Sequence, residues 1–435
     1  MRPTLVRAVL RRRAVLPVAA GLLATALLPA SVADADETTP SSLITSPGYT
    51  RGIDPVGPGL TLLTYDNPSD DRIVQVLRTD PDLAALTVES TTGTAGAMAE
   101  KTTDMLKSTT PFTSRWPHAG INGGFWWSTT GGLAFQGISV QKGRVQSASC
   151  AVPDRAEAVL IQHGRPYFSQ FTTHLTVTAP GSTPMPLDGV NRHPGWMPGC
   201  SQGAGAAADR SIGEGLFTDS SEIVEFTPEY GAPTPAPDGD AGLTEDDDPG
   251  AEAVLDGSGR VVTLNPSGRG GTKVPTGGRV LQGIGTGADW LRAHAAAGTE
   301  LTLQESVRDE RFGDDIVLDT SVDIVNGHYP LVQDGEYAYA GSNVKVDPRT
   351  AVDGYGRTLF VAVTGKSTRN GVTLDELARI LLDLGAVDGL NLDGGGSTTL
   401  VVEQTVRNRP SDATGERAVA DSVYIGHGGY GLYAD

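Results

Sequence analysis

The stretch NLDGGGSTTL, residues 391–400, follows directly on an amphipathic helical pattern, and its reading decides the rest. Side chains alternate across a strand, so Leu390 and Leu392 are expected on one face and Asn391 and Asp393 on the other. The leucines are assigned to a core against the preceding helix, which turns Asn391 and Asp393 toward water or a polar cleft. Gly394, Gly395 and Gly396 then weaken any strand or helix. A bulge where a strand turns a corner would need one glycine. Three behind an aspartate fit better a place where a ligand approaches the backbone and N–H groups meet anionic oxygen. Ser397, Thr398 and Thr399 add hydroxyl donors at the same place.

The flanking sequence places this stretch in an α+β fold, rich in mixed or antiparallel sheet with a few short helices. Thr373 and Glu376 form a capping box opening a helix over 374–384, and Gly385 is the expected left-handed stop. Leu374, Leu377, Ala378, Ile380, Leu381 and Leu384 give that helix its apolar face. Upstream, TLLTYD (61–66), RIVQVLRTD (72–80) and ALTVES (85–90) read as short strands separated by turns. LAFQGISVQKGRV (133–145) reads as a hairpin turning at Lys142-Gly143. Further short helices are expected within 97–106 and near 289–297. Residues 228–250 combine proline, alanine and acid without periodicity and are expected to be a flexible insertion. A single elaborated domain over residues 36–435 accounts for the pattern, with no repeated unit.

Residues 1–35 read as an export signal: basic up to Arg13, apolar from Ala14 to Leu28, then small residues suited to cleavage. Arg12-Arg13-Ala-Val-Leu also resembles a twin-arginine signal. A secreted, extracellular location is therefore expected, without membrane insertion. Loss of the five arginines in residues 1–33 takes the net charge from −19 to −24. Such a chain does not attract nucleic acid or anionic membranes by its overall field. An anionic substrate would need local arginines. Two cysteines, Cys150 and Cys200, are expected to pair in an oxidising compartment.

Four other stretches carry similar chemistry. INGGF (121–125) sets a carboxamide before paired glycines, though alone it would pass for a turn. PLVQDG (330–335) and PRTAV (348–352) follow, with Arg349 offering a fork for phosphate or carboxylate. NRPSDATGER (408–417) is a polar turn before the last strand. In this order, together with NLDGGGSTT (391–399), they resemble the phosphodiester glycosidase family. Val352-Asp353 stands where the family pattern carries a glycine.

The resemblance implies hydrolysis of a sugar-1-phosphodiester of the N-acetylglucosamine-α-1-phospho type, releasing sugar and a phosphomonoester. It assigns Asp393 as the carboxylate acting on the anomeric carbon and Glu416 as a second acid or base. Substrate contacts are implied at Asn122, Gly123, Gly124, Arg349, Thr350, Asn391, Gly394, Gly395, Gly396, Ser397, Thr398 and Arg417. The expected partner is a glycan or sugar-phosphodiester of the cell wall or exterior. No cofactor is expected; Asp393 and the asparagines are oxygen groups of the kind Ca²⁺ takes, but no ligand spacing demands a metal. Two rival readings stand beside this one: a non-catalytic glycan-associated protein on the same scaffold, and a phosphodiesterase cutting the P–O bond. The GxSxG pattern at 199–203 lacks the strand-to-helix setting of a nucleophile elbow. Gly365-Lys366-Ser367 lacks the first glycine of a phosphate-binding loop, because Phe360 stands there.

Overall fold

The computed structural model describes residues 49–69, 71–80, 86–94, 98–109, 117–129, 132–150, 157–197, 217–218, 221–237, 248–347, 349–353, 357–365 and 371–427. All of them lie in one compact unit, Ser41–Asp435. The expected leader, Cys200 and the serine at 201 fall outside the described residues. Three α-helices are described: α1 (Thr102–Ser108), α2 (Gly285–His294) and α3 (Leu374–Asp383). None of the described helices is long and apolar enough to cross a membrane.

The strand leading into Asp393 belongs to an eight-stranded sheet. Its order is Thr50–Gly57, Leu60–Asn67, Arg72–Thr79, Leu359–Gly365, Arg349–Asp353, Gly389–Asn391, Pro330–Gln333 and Glu336–Tyr337. Every neighbouring pair is antiparallel. Alternation gives this sheet two apolar faces. One face, with Leu63, Val74, Val76, Val361 and Val363, packs against Leu374, Leu377 and Leu381 of α3. The capping box forms as expected: Glu376 N–H donates to Thr373 Oγ1 at 3.2 Å, and Thr373 N–H donates to Glu376 Oε2 at 2.9 Å. Gly385, at φ +72°, stops the helix.

The expectation that Leu390 and Leu392 pack against this helix is corrected. They lie on the opposite face, with Leu60, Leu77, Phe360, Ile121, Leu400 and Val423. The residue under the helix is Gly389, where a Cβ would come 2.7 Å from Leu381 Cδ1. Once the glycine takes that side, alternation sends Leu390 to the other.

That second face is covered by a five-stranded sheet, in the order Thr405–Val406, Leu400–Val402, Pro117–Asn122, Ser422–His427 and Leu86–Thr91. Helix α1 closes its outer side through Met105 and Leu106, against Val401, Val419 and Tyr424. A further core joins the sheet containing Glu157–Gln162, Arg165–Thr178 and Val322–Asn326 to a five-stranded sheet and α2. In that five-stranded sheet Gly189–Val190 pairs parallel to Ile223–Phe226.

The flexible-insertion expectation does not describe residues 228–237, which are packed. The Tyr230 ring meets Phe226 at 5.0 Å between centroids, and Thr234 donates its hydroxyl to buried Glu252 at 2.8 Å. Gln282 Nε2 donates to the Pro235 carbonyl at 2.9 Å. Such anchors have no periodicity for a sequence pattern to register. Residues 238–247 lie outside the described residues. Asp248, the last of the acidic run, accepts the N–H of Gly285 at 2.8 Å and so holds the entry to α2.

The cap predicts a measurable cost. Thr373→Ala should lower stability in chemical denaturation by about 1 kcal/mol, the usual value of a helix cap.

Candidate active site

Asp393 sits where the chain passes from one sheet to the other. Gly389–Asn391 belongs to the eight-stranded sheet and Leu400–Val402 to the five-stranded one, with a 3₁₀ turn, Gly395–Ser397, between them. The crossing is clamped by Asn122, at the end of the five-stranded sheet's central strand. Its Nδ2 donates to the Asp393 carbonyl at 2.7 Å and to the Gly123 carbonyl at 3.3 Å. Its Oδ1 accepts the Thr350 hydroxyl at 2.8 Å and the Thr399 N–H at 3.1 Å. The Asp393 N–H returns a bond to the Gly123 carbonyl at 3.2 Å. Asn408 fastens the far end, giving Nδ2–H to the Thr398 carbonyl at 2.8 Å and accepting the Leu400 N–H at 2.7 Å.

These bonds use all the hydrogen-bonding capacity of the Asn122 carboxamide, which is fully buried. The reading of Asn122 as a sugar contact is thereby corrected to a structural tie, and Thr350, also fully buried, serves that tie. Asn391 is buried too, giving Nδ2–H to the His328 carbonyl at 3.1 Å. Ser397, Thr398 and Thr399 are buried behind the turn rather than offering hydroxyls to the cavity.

The glycines are explained mainly by the protein's own atoms. A Cβ on Gly123 would overlap the Asp421 carboxyl, and one on Gly124 would overlap the Asn326 carbonyl. At Gly396 it would overlap both Arg417 and Asp412. Gly395 differs: its φ is +60° and a Cβ would meet nothing within 4 Å. Of these, Gly395 is the glycine that faces open space.

The turn and the strap 345–349 enclose a cavity of about 900 Å³. Its walls carry Asp393, Gly394, Gly395, Gly396, Phe125 and Arg349, with Lys345, Asp347, Asp412 and Arg417 completing the charged set. Two ion pairs cancel much of that charge locally. Arg417 grips Asp412 with two parallel bonds of 2.7 and 2.9 Å, and Lys345 Nζ meets Asp347 at 2.8 Å. Arg349 is different. It is only 8% exposed, and its Nε and Nη2 donate to the backbone carbonyls of Val372 at 3.2 Å and Lys345 at 2.8 Å. Its nearest recorded carboxylate, Asp347, is 4.0 Å away, beyond hydrogen-bond range. Burial pulls its pKa down, yet a guanidinium stays charged at any physiological pH. A buried cation without a hydrogen-bonded anion is costly, and an anion in the cavity would relieve it.

Glu416 does not line this cavity. It accepts the N–H and hydroxyl of Thr103 at 2.9 and 2.6 Å, capping the first turn of α1. The second acid-or-base role assigned to it therefore lacks a route to a ligand here. Phe125, Lys345, Asp347 and Asp412 line the cavity without having been singled out as contacts. The last three lie within four residues of Arg349 or five of Arg417 in sequence, which was the available signal. Asp421, beneath the Gly123–Gly124 turn, was also missed. Among the described residues no group of three or more His, Cys, Asp or Glu is placed to hold a metal ion.

With this geometry in place, known proteins can be compared. Residues 249–426 match the phosphodiester glycosidase family. That match takes in Arg349, Asp393, the glycine turn, Arg417 and Asp421, while Asn122 lies upstream of it. The Bos taurus N-acetylglucosamine-1-phosphodiester alpha-N-acetylglucosaminidase is 41% identical over 69 residues, 15% of this chain and 13% of that protein. The Homo sapiens protein of the same name is 38% identical over 69 residues, with the same coverage. The shared region thus spans 13% of the length of these curated relatives. In fold, the chain is similar to a crystal structure from Burkholderia pseudomallei, with a TM-score of 0.64 and 24% identity, covering 81% of this chain and 74% of that one. A structure from Synechocystis gives a TM-score of 0.60 at 17% identity, covering 87% and 68%. These two likenesses concern the fold alone.

The clamp yields a direct test. Asn122→Ala removes four bonds and strands several buried backbone groups, each worth about 1–3 kcal/mol when left unpaired. The variant should lose roughly 3 kcal/mol or more in urea denaturation. A loss under about 0.5 kcal/mol, within the range of ordinary surface changes, would count against the clamp.

Proposed function

We propose that the protein is a secreted hydrolase cleaving the glycosidic bond of a sugar-1-phosphodiester, releasing the sugar and a phosphomonoester. The observation that carries this reading is Arg349: a buried guanidinium on the cavity wall, hydrogen-bonded among the described residues to backbone carbonyls alone, on the same cavity as the Asp393 carboxylate. Phosphate is the anion that matches its fork. Family resemblance over residues 249–426 supports the same bond type.

The chemistry follows from that pairing. Asp393, as base, draws a proton from water while the oxygen attacks the anomeric carbon. The bond from that carbon to the phosphate oxygen breaks, and its electron pair leaves on the phosphomonoester. As nucleophile, Asp393 would instead form a glycosyl ester that water then opens. In either course a phosphate leaving group departs as an anion, so cationic stabilisation by Arg349 replaces much of what a general acid supplies to an ordinary glycoside. Phe125 offers an apolar surface beside the sugar.

Product analysis on N-acetylglucosamine-α-1-phosphodiesters tests the bond choice: free sugar with phosphomonoester supports this reading, and sugar-1-phosphate would mean P–O cleavage instead. Asp393→Asn should lower kcat/KM by about 10²–10⁴-fold, the range for losing a positioned acid–base group. Near-normal turnover in that variant would remove Asp393 from the reaction. Arg349→Ala should weaken phosphodiesters by roughly 10–150-fold, the equivalent of one charged hydrogen-bonded contact, while leaving neutral glycosides of the same sugar unchanged. Equal loss for both would sink its phosphate role.

A further inference from the structure

Asp421 is the buried group at this site that the reaction above leaves unused. It stands just before the last strand, is 2% exposed and does not line the cavity. Its carbonyl accepts the Gly123 N–H at 2.9 Å and its Oδ1 accepts the Gly124 N–H at 2.9 Å. The Gly123 carbonyl in turn accepts the Asp393 N–H. Asp421 therefore takes both N–H groups of the short turn against which Asp393 is set, and Gly123 has no side chain because the Asp421 carboxyl fills that space. Asp421 Oδ2 has no hydrogen-bond partner among the described residues. A buried carboxylate with one donor and one unserved oxygen is costly, and a neighbouring anion makes it costlier. A neutral acid in the same place carries no buried charge and is not opposed by that neighbour.

We propose that Asp421 is a positioning residue of the hydrolytic site: it fixes the Gly123–Gly124 turn behind Asp393 and, by carrying a proton on Oδ2, leaves Asp393 as the anion of the pair. This rests on the reading of Asp393 as the reacting carboxylate. Burial pushes Asp421 up to about 7, with the charge of Asp393 adding to the rise and the Gly124 N–H opposing it. Asp393 is the charged group acting on it; the Gly123–Gly124 turn presents only backbone N–H groups, and Thr91 and Asn122, paired across from Ser422, are uncharged. Once Asp421 ionises, a second negative charge lies behind Asp393 and opposes a phosphate held at Arg349. Turnover should therefore decline as pH rises through about 7.

The test compares wild type with Asp421→Asn, which keeps an acceptor for Gly124 and is neutral at every pH. kcat/KM on the phosphodiester and Tm are measured from pH 4 to 9. Wild type should show an alkaline decline centred near 7, and Asp421→Asn should keep activity at low pH and lose that decline. In an unfolded chain the acid releases its proton near 3.9, whereas the folded one holds it to about 7. Relative to Asp421→Asn, wild-type Tm should thus be highest at pH 4, fall between 4 and 7, and stay level above 7. Identical pH–rate limbs with parallel Tm curves would overturn the proposal. So would a folded Asp421→Asn that is inactive at every pH, since the anion would then be the required form. If wild type does not turn over phosphodiesters, the Asp393 reading fails, and the Tm comparison alone decides whether Asp421 holds its proton.

Discussion

The carboxamide of Asn122 is the interaction on which the rest of the site depends. Two sheets meet at Asp393, and Asn122 ties them through two donated and two accepted bonds, reaching Thr350 in one sheet and Thr399 near the other. No other side chain of this length supplies both roles. Aspartate would lose the donors and confront two carbonyl oxygens with charge; leucine, close in shape, would strand the Thr399 N–H and the Asp393 carbonyl. Because the group is fully buried, water cannot take over those bonds. The position of the Asp393 backbone is therefore set by the fold rather than by a ligand, which is the condition for a preorganised site.

Charge within the cavity runs against the charge of the molecule. A chain of net charge −19 repels anions at long range, so an anionic ligand must be captured locally. The exposed pairs do little here. Arg417 is committed to Asp412 and Lys345 to Asp347, and pairs of this exposure are worth little in net energy. What they do is hold geometry: the Asp412–Arg417 fork fills the space beside Gly396 and fixes the outer wall of the turn. Arg349 differs in being buried, with hydrogen bonds to neutral carbonyls and Asp347 no nearer than 4.0 Å. Desolvation of that charge is what would favour an anionic ligand on the proposed reading.

Local physics was legible in the sequence, and depth was not. The Thr373–Glu376 box, the stop at Gly385 and the Lys142-Gly143 turn depend on a few neighbouring residues, and each appears where its pattern placed it. The stretch 391–400 likewise lies beside the cavity its glycines suggested. Spacing could not tell what fills the room beside a glycine. At Gly123, Gly124 and Gly396 the occupant is Asp421, Asn326 or the Asp412–Arg417 pair, brought there by strands hundreds of residues apart or by a distant turn. The same blindness made Asn122, Asn391, Ser397 and Thr398 look like ligand contacts, since polar residues beside glycines resemble an open site until the covering layer is known. Glu416 shows the converse. One residue from a cavity arginine, it turns away to serve the N-terminus of α1, where an acid is favourable to the helix dipole.

On the proposed reading, this cavity differs from that of an ordinary glycoside hydrolase in what it offers a leaving group. Such enzymes need an acid at the leaving oxygen because an alkoxide departs poorly. Here Asp412 is bound by Arg417 and Asp347 by Lys345, and Arg349 is the buried cation on the same cavity. The proposed mechanism gives Asp393 the attacking side. The arrangement is adequate only if the leaving group needs no proton, and a phosphate is such a group because its negative charge is already delocalised and met by a guanidinium. A carboxylate and a buried guanidinium on one cavity wall would suit a substrate whose sugar carbon lies near Asp393 and whose phosphate lies near Arg349.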